Sequence, residues 1–569
     1  MTDQNEAYDK KPKKKPSKFT VVCLTIMMGF SLLGWGVIYA YALVYSVLSP
    51  IGQAVGAVFM VMLVHAAVTV PRRLKRPPSR RQRVLVFCGA LMAVGLFVAW
   101  AYWPDSDQWR PYTFDDELAA IEAKRAVPDE ENAALSYEAL FTQVEPDVNR
   151  PDAIGDRDDP FWNTPWVASE HAELSQWLDM QDKVIAQLME ACRFEECRFA
   201  VESQMFASIE PRVSKRNDRL KFCFKMLLAC ANRDIGEGRI ESGSEKYLCA
   251  LQMGKHCLQQ PTVLDFYIGF EMNGSALRAI RRFVVEDESA SKDNLDMLAK
   301  AIETESKWAS DWAAIHAVAK LHAKNLYGTF YEVNERGRSR FTWGIGGALG
   351  NNDSSVSTQD GPGKFEKGMG RITLAFFAPW SPETAGTIID DMYEPLTRAA
   401  DPNFDWNTLN ELERKHSLEK AYLNPTRLVL ELAFMEVSDV SRFHRSYMRD
   451  VARCRGSRLI IGLRGYKNEH GAWPESLEQI GSVVPAEALV DPINGGAFVY
   501  RVTEDGFELY SKGANGVDED GKRLRPLKEG GPDDVAIWPI RKRCNAKESA
   551  EKEKMVQEEA DSNDAGAGA

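Results

Sequence analysis

The chain has 569 residues, of which 44% are hydrophobic and 27% charged, and this composition excludes a disordered, collagen-like or small disulfide-scaffold protein. The formal net charge of −12 is unevenly divided. Residues 1–103 hold 13 Lys and Arg against 3 Asp and Glu, whereas residues 104–569 hold 57 against 79. The large part, with a net charge of −22, shows no basic face of the kind that a phosphate backbone requires. We therefore expect several folded units and no nucleic-acid partner.

Three uncharged apolar runs near the N-terminus predict a three-helix membrane anchor. The predicted spans are residues 19–48, 51–70 and 84–103. Basic residues flank them at 10–18 and 72–83, and such residues collect on the cytoplasmic side of a membrane. We therefore expect a multi-pass protein of the cytoplasmic (inner) membrane, in contact with the lipid bilayer, with a basic cytoplasmic tail at 1–18 and an extracytoplasmic part at 104–569. A cleaved signal peptide is the alternative for the first run, but its apolar part would span only roughly 7–15 residues.

The region 104–440 carries apolar residues three and four positions apart, a spacing that predicts amphipathic helices joined at Gly and Pro. Three consecutive helices are expected at 220–233, 245–258 and 263–285. This succession predicts a stack of helical hairpins in an exported domain. A Gly- and Asn-rich stretch predicts a mobile surface loop at 344–370, and the mixed-charge segment 541–569 predicts a disordered tail.

Four cysteines fall on two consecutive predicted helices. Cys223 and Cys230 lie seven residues apart on the first helix, and Cys249 and Cys257 lie eight apart on the second. In an antiparallel hairpin, residues with the same index sum face each other, and this predicts the disulfides Cys223–Cys257 and Cys230–Cys249. The alternative is four reduced, buried cysteines that act as small core residues.

Toward the C-terminus, the hydrophobic period changes from helical spacing to two. Residues 498–502 and 507–510, separated by an acidic turn, predict a β-hairpin, and residues 535–538 predict a third short strand. We therefore expect a small α+β domain at 441–540 with a three-stranded antiparallel sheet. The fold class predicted for the whole chain is mainly α, with three transmembrane helices, a helical hairpin stack and this C-terminal domain.

The motifs of the C-terminal domain follow one another in a definite order. A Gly-Ala-Trp-Pro turn lies at 471–474, an Asp-Pro-Ile-Asn-Gly-Gly segment at 491–496 and a Ser-Lys-Gly-Ala-Asn-Gly loop at 511–516. In this order and spacing, the domain resembles the head of the major pseudopilin of type II secretion systems. Most of the exported part, with Glu-Asn-Ala at 131–133, is similar to uncharacterised bacterial membrane-anchored proteins. The first predicted span lacks the glutamate that follows the cleavage point of a pseudopilin, so the resemblance implies a fold and not a filament subunit.

In the pseudopilin family, an acidic loop of the head binds calcium. The resemblance implies a calcium site with an all-oxygen shell here, drawn from Asp518, Asp520, Asp533 and Asp534, with backbone carbonyls near Ser511. A solvated acidic turn is the alternative, because the basic insertion that follows the loop would neutralise its charge.

The sequence contains no motif typical of a serine hydrolase, a zinc protease or a nucleotide-binding loop, and its histidines are scattered. We therefore predict no catalytic residues and a membrane-anchored extracytoplasmic scaffold or interaction protein, linked to secretion or envelope assembly, with an envelope protein or peptide as partner. The alternative is an exported envelope hydrolase whose site lies between the helical and C-terminal domains. A calcium-dependent sensor is a third hypothesis, but the cytoplasmic segments are too short for an output domain.

Overall fold

A computed structural model gives the fold and describes residues 108–144, 160–201, 213–328, 331–337, 339–341, 381–401, 404, 440–523 and 531–540. The described part is mainly helical. Its α-helices are α1 Asp115–Arg125, α2 Ala133–Phe141, α3 Ala172–Met180, α4 Asp182–Ala191, α5 Val213–Gly236, α6 Ile240–Leu258, α7 Val263–Glu286, α8 Lys292–Ala301, α9 Trp308–Gly328, α10 Pro382–Tyr393 and α11 Val440–His470. Its strands are β1 Trp109–Pro111, β2 Tyr331–Asn334, β3 Ser339–Phe341, β4 Val499–Thr503, β5 Gly506–Ser511 and β6 Val535–Trp538.

Helices α5, α6 and α7 form the centre of the helical region and contain the three helices predicted at 220–233, 245–258 and 263–285. Short turns join them, and their facing sides bury apolar side chains such as Leu227 and Leu277 completely. The side chain of Thr262 caps α7 by accepting a hydrogen bond from the backbone N–H of Asp265. Burial of one apolar face per helix therefore places these three helices side by side.

Helix α11, with 31 residues, links the helical region to the C-terminal sheet. It runs parallel to α7, because its successive residues contact successive residues of that helix and of the segment after it. Arg281 donates to the Ser457 hydroxyl at 2.9 Å, Arg464 to the Asp287 carbonyl at 3.0 Å, and Asn468 to the Ala290 carbonyl at 3.0 Å. Another side of α11, at Gly456, packs on β6, where Ile537 is fully buried.

The C-terminal sheet has the strand order β4-β5-β6, and both strand pairs are antiparallel. Val499 pairs with Tyr510 and Thr503 with Gly506 across the first pair, and Ser511 pairs with Val535 across the second. This sheet confirms the predicted hairpin and third strand. A second antiparallel sheet, β1-β2-β3, was not predicted and joins the chain before α1 to the chain after α9.

One hydrophobic core extends from α2 through α11 to β6. The domain boundary predicted at residue 440 coincides with the start of α11, and the core continues across it. Gly462 of α11 lies against Val484, and Gly456 lies against Ile537. These two contacts lie within the C-terminal domain, whereas the hydrogen bonds from Arg281 to Ser457 and from Arg464 to Asp287 join that domain to the helical region.

The prediction of a membrane anchor is corrected. Within the described ranges, the structure contains no helix with both the length and the apolar character needed to cross a membrane. The predicted spans 19–48, 51–70 and 84–103 lie outside those ranges, as do the predicted tails and the predicted loop at 344–370. Three transmembrane helices, contact with the lipid bilayer and a multi-pass location are thus not supported. The long described helices are amphipathic instead, and α11 alone carries seven arginines.

The two predicted disulfides are also corrected. Cys249 is bonded to Cys192, at the C-terminal end of α4, with the two Cα atoms 5.3 Å apart. Cys223, Cys230 and Cys257 are buried free thiols, as in the alternative hypothesis of reduced core cysteines. The index-sum argument gave positions along the helix axes but not the rotation of each helix about its axis. That rotation directs Cys257 toward Met272 of α7, with 3.7 Å between the two sulfur atoms.

The contact between α11 and β6 can be tested with two glycines of the same helix. A Cβ atom at Gly456 would come within 2.7 Å of Ile537 Cγ2, so we expect Gly456→Ala to lower the free energy of unfolding by about 1–3 kcal/mol. A Cβ atom at Gly465 would meet no atom within 4 Å, so Gly465→Ala is expected to raise it by about 0.5–1 kcal/mol. Chemical denaturation measures both, and equal effects of the two substitutions would contradict this packing.

Candidate metal centre

Three carboxylates converge beside the C-terminal sheet. Glu519 lies in the loop that follows β5, and Asp533 and Asp534 immediately precede β6. One carboxylate oxygen from each of the three lies within 4.8 Å of the other two. Asp534 has no exposed surface, whereas Glu519 and Asp533 are half-buried. We refer to Glu519, Asp533 and Asp534 as the carboxylate cluster.

The pairing of β5 with β6 brings the cluster together, because the end of one strand lies beside the start of the other. Gly513, just after β5, has a φ of +64°, and a Cβ atom there would lie 2.1 Å from Asp533 Oδ1. Only glycine can therefore adopt this backbone conformation and leave room for the aspartate. The N–H of Ala514 then donates to Asp533 Oδ2 at 2.8 Å.

Backbone N–H groups orient the other carboxylates. Asp534 Oδ2 accepts from the N–H groups of Glu519 at 3.0 Å and Gly521 at 2.8 Å, and Glu519 Oε2 accepts from the N–H of Asp533 at 2.9 Å. The remaining oxygens, Asp533 Oδ1 and Asp534 Oδ1, are buried and have no hydrogen-bond partner among the described residues. A buried acceptor without a partner is costly, so these two oxygens indicate a missing ligand.

The turn at 491–496, one of the motifs noted in the sequence, contacts the loop that follows β5. Asp491 is completely buried and accepts hydrogen bonds from the backbone N–H of Ile493 at 3.0 Å and from the side chain of Asn494 at 2.7 Å. The same Asn494 amide donates to the carbonyl of Gly513 at 3.0 Å. This turn therefore fixes the backbone next to Asp533.

The electrostatics of the cluster favour a cation. The pKa of Asp534 is raised to about 6, mainly by burial and also by the nearby carboxylates of Glu519 and Asp518, against the two backbone N–H bonds that lower it. A divalent cation would remove this penalty by compensating the three negative charges. No other group of this kind, with three or more metal-ligating side chains, occurs in the part of the chain that the structure describes.

The donor set fits calcium. All the ligand atoms are carboxylate oxygens, which calcium prefers, at about 2.3–2.6 Å from the ion. Two oxygens at roughly 2.4 Å from one ion can be at most about 4.8 Å apart, and the cluster meets this limit. Magnesium usually keeps several waters and binds through one or two carboxylates, so a set of three protein carboxylates favours calcium.

Two of the four predicted ligands belong to the cluster, and two do not. Asp533 and Asp534 are in it, whereas Asp518 and Asp520 form ion pairs with Arg501 of β4. The prediction missed Glu519, which stands between those two aspartates. Sequence spacing carried no signal for it, because the segment is a turn in which Asp520 has a left-handed backbone and not a regular strand.

No family model matches the chain, and neither the curated proteins nor the solved structures contain a match to it. The resemblance to the major pseudopilin therefore remains a prediction that rests on the motifs of the C-terminal domain.

The pKa of Asp534 would make the binding of a cation to the carboxylate cluster depend on pH. Because this pKa is about 6 instead of 3.8, the folded protein holds the proton up to a higher pH than the unfolded chain does. Without a cation, the contribution of Asp534 to stability is therefore largest below about pH 4 and is lost as the pH rises through 6. Calcium requires the ionised form and competes with this proton.

We expect the calcium affinity of the full chain to be about tenfold weaker at pH 5 than at pH 7.5, measured by titration calorimetry. Carboxylates with ordinary pKa values near 4 would remain ionised at pH 5 and would give almost the same affinity at both values. An unchanged affinity between these two pH values would therefore contradict the burial of Asp534.

Proposed function

We propose that this protein is a non-catalytic scaffold or interaction protein whose C-terminal domain binds one calcium ion through Glu519, Asp533 and Asp534. The observation that carries the proposal is the buried carboxylate of Asp534, one oxygen of which has no partner among the described residues. A cluster of exposed acids would need no cation, because water solvates it. A carboxylate without solvent needs a compensating charge.

Calcium at this position would hold the loop that follows β5. Glu519 contributes to the cluster from within that loop, and the neighbouring Val517 exposes 56% of its surface. An ion bound to Glu519, Asp533 and Asp534 would tie the loop to the start of β6. The ordered loop would then present Val517 to a protein partner in one conformation.

The helical region supplies a rigid base for this loop. Its core continues through α11 into the C-terminal sheet, so the loop is attached to a large packed body and not to a flexible linker. A fixed base lowers the entropy that the loop loses when it binds a partner. A scaffold that presents a cation-ordered loop is therefore the function that these features support best.

The alternative of a hydrolase receives less support. Where α7 of the helical region meets α11, Asn273 donates to Asp450 and Arg281 donates to Ser457, and apolar side chains of both helices share one core. A cleft of about 570 Å³ lies elsewhere, along α3 to α6, and contains Ser242, Lys246 and Asp234. Lys246 donates to both Asp234 Oδ2 at 2.6 Å and Ser242 Oγ at 2.7 Å. Lys246 is thus an ion-paired ammonium group and not a free base that could activate the serine.

The pKa of Asp234 agrees with an ion pair. Burial raises the pKa of Asp234, but hydrogen bonds from Lys246, Arg239 and Ser242 outweigh burial and lower it overall. The carboxylate of Asp234 therefore remains charged beside Lys246.

Calcium binding is tested by removing one charge inside the cluster and one outside it. A ligand at 100 times its Kd stabilises the folded state by about 2.7 kcal/mol, so calcium is expected to raise the Tm of the wild-type chain. Asp534→Asn removes the buried charge and is expected to abolish this shift. Asp505→Asn, in the exposed turn between β4 and β5, is expected to leave it intact. A wild-type Tm that calcium does not change would contradict the proposal.

The scaffold role is tested by the partners that the immobilised full chain retains with calcium and with a chelator. We expect a set of proteins that the wild-type chain retains only with calcium and that the Asp534→Asn chain does not retain. Identical sets for both chains under both conditions would contradict a calcium-dependent loop.

A further inference from the structure

Arg501 of β4 bridges the two acidic residues that flank Glu519. Its guanidinium donates to Asp518 Oδ2 at 2.6 Å and to Asp520 Oδ1 at 2.9 Å. The hydroxyl of Tyr510 donates to the other oxygen of Asp518 at 2.7 Å. This hydrogen bond and the charge of Arg501 lower the pKa of Asp518, so the pair remains charged.

The backbone of the loop alternates between the two sides. Asp518 and Asp520 turn outward to Arg501, whereas the side chain of Glu519 turns inward to the carboxylate cluster. The N–H groups of Glu519 and Gly521 also turn inward and donate to Asp534. Asp520 adopts a φ of +56°, in the left-handed region that non-glycine residues rarely occupy, and its N–H donates to Asp518 Oδ1 at 3.2 Å.

We propose that Arg501 is a positioning residue for the cation site: by holding Asp518 and Asp520 on the outer side, it keeps Glu519 facing inward as a ligand. This proposal rests on the proposed function, because it concerns the same calcium ion. Arg501 acts through the loop backbone and does not itself touch the ion. Arg501 also compensates the charges of Asp518 and Asp520 by ion pairs. Glu519, Asp533 and Asp534 are then the three carboxylates available to one ion.

Charge and position predict opposite effects of Arg501 on calcium affinity. A positive charge near the site repels a cation, so charge alone predicts that removing Arg501 strengthens binding. The bridge predicts that removing Arg501 weakens binding, because Asp518 and Asp520 then release the segment that carries Glu519. The sign of the change therefore separates the two explanations.

The bridge also explains why arginine suits this position better than lysine. A guanidinium group presents several N–H donors in a fixed plane and can engage two carboxylates at once, whereas an ammonium group is a compact point charge. Lysine would keep the positive charge and lose part of the bridge. Arg501→Lys is therefore the conservative variant that separates loss of the bridge from loss of the positive charge.

The test compares calcium dissociation constants of full-length variants by titration calorimetry at pH 7.5. Arg501→Gln is expected to weaken calcium binding about tenfold, and Arg501→Lys is expected to give an intermediate value. Lys522→Gln removes an exposed positive charge from the same loop and is expected to leave the affinity unchanged or slightly stronger. The Tm without calcium, measured for each variant, shows whether the fold is retained.

Each outcome has a separate meaning. If Arg501→Gln binds calcium as tightly as the wild-type chain, or more tightly, the positioning role is overturned while the calcium site stands. If the Arg501→Lys chain matches the wild-type chain while the Arg501→Gln chain binds calcium more tightly, charge alone accounts for Arg501. A wild-type chain that binds no calcium would overturn the proposed function itself.

Discussion

The C-terminal domain depends on the burial of one negative charge. Asp534 has no exposed surface, and its Oδ2 accepts two backbone N–H bonds from the opposite loop. Those bonds fold the loop over the start of β6, but they leave Oδ1 without a partner among the described residues. A buried charge that is only half satisfied is expensive, and a cation held jointly with Glu519 and Asp533 would remove the cost. The arrangement of the loop, the pKa of Asp534 and the proposed binding of calcium all follow from this one residue.

Helix α11 connects the C-terminal sheet, which carries the cation site, to the helical region. Its hydrogen bonds to α7 and to the segment after α7 attach it to the helical region, and its contact with Ile537 attaches it to β6. Because a single core passes through both regions, the site does not sit on a separately tethered module. A change at the cation site can therefore affect the presentation of the loop without altering its attachment.

The central helices and the hairpin of β4 and β5 were predictable from the local spacing of apolar residues. Alternating apolar residues on either side of an acidic turn are enough to define a hairpin. The sheet of β1 to β3 could not be predicted in this way, because its strands have three or four residues and its pairing joins positions more than 200 residues apart. For the cysteines, sequence spacing gave their positions along the helices but not the direction in which each side chain points. The structure accordingly pairs Cys249 with Cys192.

The cation site shows the same limit at the level of single residues. Asp518 and Asp520 were predicted as ligands and Glu519 between them was not, whereas the structure pairs those two aspartates with Arg501 of a neighbouring strand. Asp533 and Asp534 were named through the resemblance to the pseudopilin head, and the structure places both in the carboxylate cluster.

The most direct test of this account is a crystal structure of the full chain grown with calcium, with anomalous scattering to identify the ion. The account predicts an anomalous peak in contact with Glu519, Asp533 Oδ1 and Asp534 Oδ1, at oxygen distances of about 2.3–2.6 Å. A structure in which Asp534 Oδ1 instead accepts a hydrogen bond from water or protein, with no calcium bound to the cluster, would contradict it.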